Sequence, residues 1–142
     1  MRGHATNYRL DPALLAAVIE QESKFNADAK SSTGAIGLMQ LQPATAEGIA
    51  VRTGGSKFVL SDLYNPEINV RYGAWYLRHL LDKYRNERIA LAAYNAGQEN
   101  VDRWLAAHEG VQFSETRAYV NRVEWLKAIY RRAYASELGL EP

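Results

Sequence analysis

Glu22 is the residue whose surroundings point most directly to chemistry. It follows Val18 by four positions, Ile19 by three and Leu15 by seven. On a helix these positions share one face, and that face is apolar. The carboxyl should therefore point inward at a helix C-terminal end, whereas Glu20 falls on another face and is expected in solvent. Burial and the negative end of the helix dipole both disfavour a carboxylate. The Glu22 pKa should rise, as a general acid working near neutral pH requires. The plainer alternative is a carboxyl at a frayed helix end, turned to solvent or capping a loop amide.

Other groups carry weaker signals. Tyr94 and Tyr119 each offer a flat ring and a hydroxyl, suited to ligand contact, to holding an acid, or simply to core packing. Asn95 can bond groove groups or serve the end of its own helix. Gly34 and Gly37 lack Cβ, which permits close approach to a ligand or merely a tight turn. Glu115 follows Ser114, where the first turn of a helix favours a negative charge. Met39, Trp75 and Tyr76 read as core. His4, His79 and His108 show no ligand spacing and cysteine is absent, so no metal or cofactor is expected.

These residues need helices to place them. Asp11-Pro12 is an N-cap followed by proline in the first turn, and Leu14, Leu15, Val18 and Ile19 repeat at helical spacing to about Ser23. A glycine-punctuated segment leads to Gln40, and a short helix is expected near Pro43. Residues 52–61 read as a loop around Gly54-Gly55. Asn65-Pro66 repeats the cap signal, and the helix behind it carries Ile68, Tyr72, Trp75, Tyr76 and Leu80 to about Tyr84. An Ala-rich helix from Ile89 to Asn95 should stop at Gly97. Val101, Trp104 and Leu105 mark another, and Ser114 can cap a long last helix bearing Tyr119, Val120, Val123, Leu126 and Tyr130. No segment alternates with period two over strand length, so the expected fold is all-α. No repeat or linker divides the chain, so residues 1–142 read as one domain.

Composition narrows the classes. The 142 residues are 47% hydrophobic and 23% charged, an ordinary globular mixture. Seventeen basic against sixteen acidic residues leave a net charge of +1, no footprint for nucleic acid or an anionic membrane. No apolar run approaches the ~20 residues of a membrane helix. No apolar signal region follows Met-Arg-Gly-His, so either the protein is not exported or the chain is an excised domain or mature form. A monomer is expected.

Four motifs occur in order around Glu22: Glu22-Ser23; Ala29 through Gln40 with Ser31-Ser32-Thr33-Gly34-Ala35-Ile36-Gly37-Leu38-Met39 inside it; Ala92-Ala93-Tyr94-Asn95-Ala96-Gly97; and Glu115-Thr116-Arg117-Ala118-Tyr119-Val120. Together they resemble the catalytic domain of soluble lytic transglycosylases, over about Tyr8 to Tyr134. The resemblance implies a lysozyme-like helical fold with a glycan-binding groove. It implies peptidoglycan glycan strands as substrate, and cleavage of the β-1,4 bond between N-acetylmuramic acid and N-acetylglucosamine with formation of 1,6-anhydromuramic acid. It matches Glu22 to the family's catalytic glutamate, Ser31 to a serine beside the reacting sugar and Gln40 to a groove glutamine. Tyr94 and Asn95 match the Ala-Tyr-Asn motif, and Glu115 and Tyr119 the last motif of the groove. Gln42 departs from the pattern, since many relatives carry methionine there. The implied location is the cell envelope or the extracellular space. The alternatives are a goose-type lysozyme-like muramidase, which admits water to the same bond, and a binding module that grips glycan without cutting it.

Overall fold

The computed structural model describes residues 2–133, so Tyr134, where the expected likeness ends, lies outside the described residues. Seven α-helices follow one another: α1 (Arg2–Asn7), α2 (Pro12–Ser23), α3 (Pro43–Thr53), α4 (Pro66–Tyr84), α5 (Glu87–Ala96), α6 (Gln98–Ala106) and α7 (Ser114–Ala133). A 3-10 turn, Leu60–Tyr64, precedes α4. Among the described residues there is no strand, only isolated bridges of Ile36 to Lys30 and to Leu41.

The caps act as the sequence predicts. Asp11 accepts from the Ala13 N–H at 2.8 Å, and Asn65 from the Glu67 N–H at 2.9 Å. Each satisfies a donor that a helix start leaves without a partner. A third cap, Asn86 to the Ile89 N–H at 3.0 Å, starts α5 slightly earlier than expected. Three boundaries differ from expectation. The supposed loop 52–61 loses its ends to α3 and to the 3-10 turn, where Asp62 accepts from the Val59 N–H at 3.0 Å. Ser114 is the first residue of α7 rather than an outside cap. The unforeseen α1 is held by burial of Ala5 and by His4, whose Nε2 meets Glu67 at 3.0 Å.

The helix α2 is the axis of the domain. All residues from Ala13 to Ile19 are buried, so it is enclosed on every side rather than on one face. It packs on α7, which also packs on α5. In α5 the buried run Ala90-Leu91-Ala92-Ala93 keeps side chains small, and this lets α4, α6 and α7 close around it. Burial of aliphatic side chains at roughly 25 cal/mol per Å2 is the main force holding this bundle.

The segment between α2 and α3 is irregular but well bonded. Asn69 of α4, fully buried, organises it. Its Oδ1 accepts from the Met39 N–H at 2.8 Å, and its Nδ2 donates to the Ile36 and Leu63 carbonyls, each at 2.9 Å. Gly37 passes so close that a Cβ there would lie 2.2 Å from Asn69 Nδ2. Its missing side chain therefore serves contact with Asn69, not approach of a ligand. Gly73 makes the corresponding space on α4, where a Cβ would lie 2.2 Å from Met39 Sδ, and Met39 is the buried core residue expected.

Candidate active site

Glu22 lies in the last turn of α2, just before the chain turns through left-handed Lys24 and Phe25. Ser23 fastens this end, its hydroxyl donating to the Leu38 carbonyl at 2.7 Å. The Glu22 carboxylate oxygen Oε2 accepts a hydrogen bond from the Tyr119 hydroxyl at 2.8 Å. Burial pushes the Glu22 pKa up to about 7, and the Tyr119 bond pulls it partly back. Both phenols near it are held well above the usual tyrosine range, first by burial and then by the Glu22 charge. They therefore remain protonated donors at neutral pH. An acid that half-ionises near pH 7 beside a fixed donor can give up a proton and take it back.

Tyr94 is directed differently from Tyr119. Its hydroxyl donates to the Met39 carbonyl at 2.7 Å. That bond joins α5 to the segment before α3, so the Tyr94 hydroxyl proton is engaged with backbone. Asn95 accepts from the Thr116 hydroxyl at 2.7 Å, tying α5 to α7 rather than capping its own helix. Gln40, at φ 51°, donates from Nε2 to the Ala29 and Gly37 carbonyls at 3.1 and 2.9 Å. Ser31 accepts from the Ala35 N–H at 3.0 Å and pairs with the Thr33 hydroxyl at 3.0 Å. Glu115 is exposed in the first turn of α7.

Two depressions border the tyrosines near the acid. One is bordered by Gln21, Asn95, Glu115, Tyr119 and Arg122. The other is bordered by Gln40, Gln42, Thr45, Tyr76, Tyr94 and Asn95. They share Asn95 and so adjoin as one groove, and Tyr119, which holds Glu22, borders the first of them. Of the residues expected at a site, Gln40, Tyr94, Asn95, Glu115 and Tyr119 come together along it. Ser31 borders neither depression.

The sequence comparison then decides the family, because the transglycosylase SLT domain matches residues 1–116. The chain belongs to the transglycosylase SLT domain family. It is 39% identical over 132 residues to the soluble lytic murein transglycosylase of Salmonella typhimurium, covering 81% of this chain and 20% of that protein. It is 37% identical over 119 residues to the transglycosylase of Enterobacteria phage PRD1, covering 84% of this chain and 38% of that one. Among solved structures, an inactive glutamate-to-glutamine variant of lytic transglycosylase Slt from Pseudomonas aeruginosa superposes with a TM-score of 0.83 at 34% identity. That match covers 98% of this chain and 24% of the other. The chain thus spans about a fifth to two fifths of the length of these relatives.

This SLT domain refines one expectation about its groove. Trp75 and Tyr76 are half-buried: they pack against the core on one side, as expected, and border depressions on the other. Asn69 was not foreseen. Its signal was present, since it precedes Tyr72 by three and Tyr76 by seven and so lies on the aromatic face of α4. A polar residue on such a face must find partners inside. Among the described residues of the SLT domain no cluster of His, Asp and Glu is arranged to hold a metal, and no helix is long and apolar enough to cross a membrane.

Proposed function

We propose that this SLT domain is a lytic murein transglycosylase module of the cell envelope or extracellular space, acting on peptidoglycan glycan strands. The observation that carries the reading is Glu22, with a pKa near 7 and its carboxylate held by Tyr119 at 2.8 Å. The bond cut is the β-1,4 link from N-acetylmuramic acid to N-acetylglucosamine. Glu22 donates its proton to the leaving glycosidic oxygen as the C1–O bond breaks. The muramyl N-acetyl oxygen stabilises the cationic C1. The Glu22 carboxylate then takes the proton of the same sugar's 6-hydroxyl, O6 bonds to C1, and Glu22 ends protonated as it began. One acid serves both steps, and ring closure gains from proximity. The loss of activity in a glutamate-to-glutamine relative agrees with a glutamate-dependent step.

In this reading Tyr119 is a positioning residue that orients the carboxyl. Tyr94, Asn95 and Glu115 line the path of the sugars, and Gln40 offers its Oε1 there while its Nε2 braces the loop. Ser31, which borders neither depression, is assigned to the reacting sugar by the family likeness alone. A hydrolytic reading as a muramidase has one observation in its favour, the exposed Glu115 carboxyl in the depression beside Tyr119. Ordinary glycosidases use two carboxyls.

Digestion of purified peptidoglycan separates the two. Ring closure gives fragments ending in anhydro sugar, each one water lighter than its hydrolytic counterpart, with no new reducing end. Predominantly reducing muramic ends, together with complete loss of activity in Glu115→Gln, would establish the muramidase instead.

A further inference from the structure

The groove continues past Thr45 and Tyr76. These two residues border both the depression beside Tyr94 and a further recess of about 160 Å3 between α3 and α4. Arg52, Trp75, His79 and Gln98 line that recess. The Trp75 and His79 rings stack at 5.3 Å with planes 5° apart, and the stack forms one wall of the recess. Nearby cations are already paired: Arg78 with Asp82 at 2.8 Å, and Lys83 with Asp102 at 2.9 Å. Arg52 has no carboxylate partner among the described residues. Burial, then the charges of Arg52 and Lys83, hold His79 below the usual imidazole range against the opposing pull of Asp82. That shift disfavours the imidazolium, so the charge lining the recess is that of Arg52.

A cation in the last turn of α3 also suits that helix's dipole. The dipole accounts for the charge but not for the recess and its stacked aromatic wall, continuous with the groove. We propose that the recess receives a carboxylate carried by a muramyl residue of the glycan strand, gripped by the Arg52 guanidinium beside the Trp75–His79 wall. This rests on the reading of the groove as a glycan site. Guanidinium matches carboxylate in geometry and binds it through two parallel N–H donors. Murein carries such carboxylates in two forms, the free lactyl group of stem-free residues and the acidic groups of peptide stems. At a solvent-exposed rim, salt screens the pair, so its effect on affinity is roughly two- to fivefold.

The test measures binding in Glu22→Gln protein, so that turnover does not enter. Calorimetric titration compares four preparations of glycan strands: stem-free with free lactyl groups, stem-bearing, and each of these with its carboxyls converted to methylamides. The charged strands should bind about two- to fivefold more tightly than their amidated forms. Adding Arg52→Gln should lower affinity for the charged strands to the amidated level and leave the amidated strands unaffected. Whichever charged preparation shows the gap identifies the source of the carboxylate. Equal binding of charged and amidated strands, or an equal loss for both in Arg52→Gln, would overturn the proposal. A failure of the transglycosylase reading takes another form, reducing ends in the products of the unaltered protein, and leaves the binding gap in place. Absence of binding to every strand would overturn both.

Discussion

The Tyr119 hydroxyl donates to Glu22 Oε2 at 2.8 Å across 97 positions of sequence. This bond stabilises the ionised form, while burial stabilises the protonated form and dominates. The acid is thereby left near neutrality instead of at either extreme.

Replacement Glu22→Gln keeps the shape and removes the transferable proton. Turnover of peptidoglycan should fall by at least ~10²–10⁴, the usual cost of losing a general acid. Circular dichroism should be unchanged. Substantial turbidity loss from a folded variant would remove Glu22 from the reaction.

The same replacement should alter stability in a pH-dependent way. The folded pKa of Glu22 is raised from 4.5 to about 7, so its contribution is fully present below pH ~4.5 and is lost as pH rises through about 7. Relative to the parent, Glu22→Gln should therefore gain roughly 1–3 kcal/mol between pH 4 and pH 8, reduced by whatever hydration the half-buried carboxyl keeps. Urea melts at the two pH values measure it. A constant difference would mean that Glu22 is not desolvated.

Tyr119→Phe separates positioning from packing. The parent's kcat/KM should decline above about pH 7, as the acid form of Glu22 is depleted. Without the hydroxyl, the one influence lowering that pKa is gone, so the descending limb should move to higher pH while turnover drops about tenfold. A loss of thermal stability with an unmoved pH profile would reduce Tyr119 to a packed ring.

Tyr94→Phe should act mainly on structure. It strips the Met39 carbonyl of its 2.7 Å donor at a partly buried position. A cost of ~1–2 kcal/mol is expected, with a smaller loss of turnover than in Tyr119→Phe. Denaturant melts and kcat measured side by side decide it; the reverse order would give the Tyr94 hydroxyl a direct part in the reaction.

Asn69→Ala removes three hydrogen bonds from a fully buried side chain and leaves their backbone partners unsatisfied. Stability should fall by ~2–4 kcal/mol. Amide exchange should quicken first in residues 36–41, and activity should drop although the helices persist. Uniform exchange throughout the domain would mean that Asn69 supports the whole core equally.

Most of the helices were legible in the sequence because their signals are local. Asp11-Pro12 and Asn65-Pro66 announce helix starts through bonds made within two or three residues. The spacing of Glu22 from Leu15, Val18 and Ile19 was enough to place a carboxyl on an inward face. Short α1 was not legible because its His4 is held by distant Glu67, and the 3-10 turn, though Asp62 caps it locally, is too short to show a period. Periodicity says that a residue turns inward, but not what it meets there. So Tyr94 and Tyr119, alike in sequence, part company in the fold: one bonds a backbone carbonyl, the other the acid. Trp75 and Tyr76 read as core because an aromatic stripe on a helix is silent about whether its neighbour closes over it. The tertiary structure alone decided that these rings, packed on the core, stay partly uncovered and border a groove.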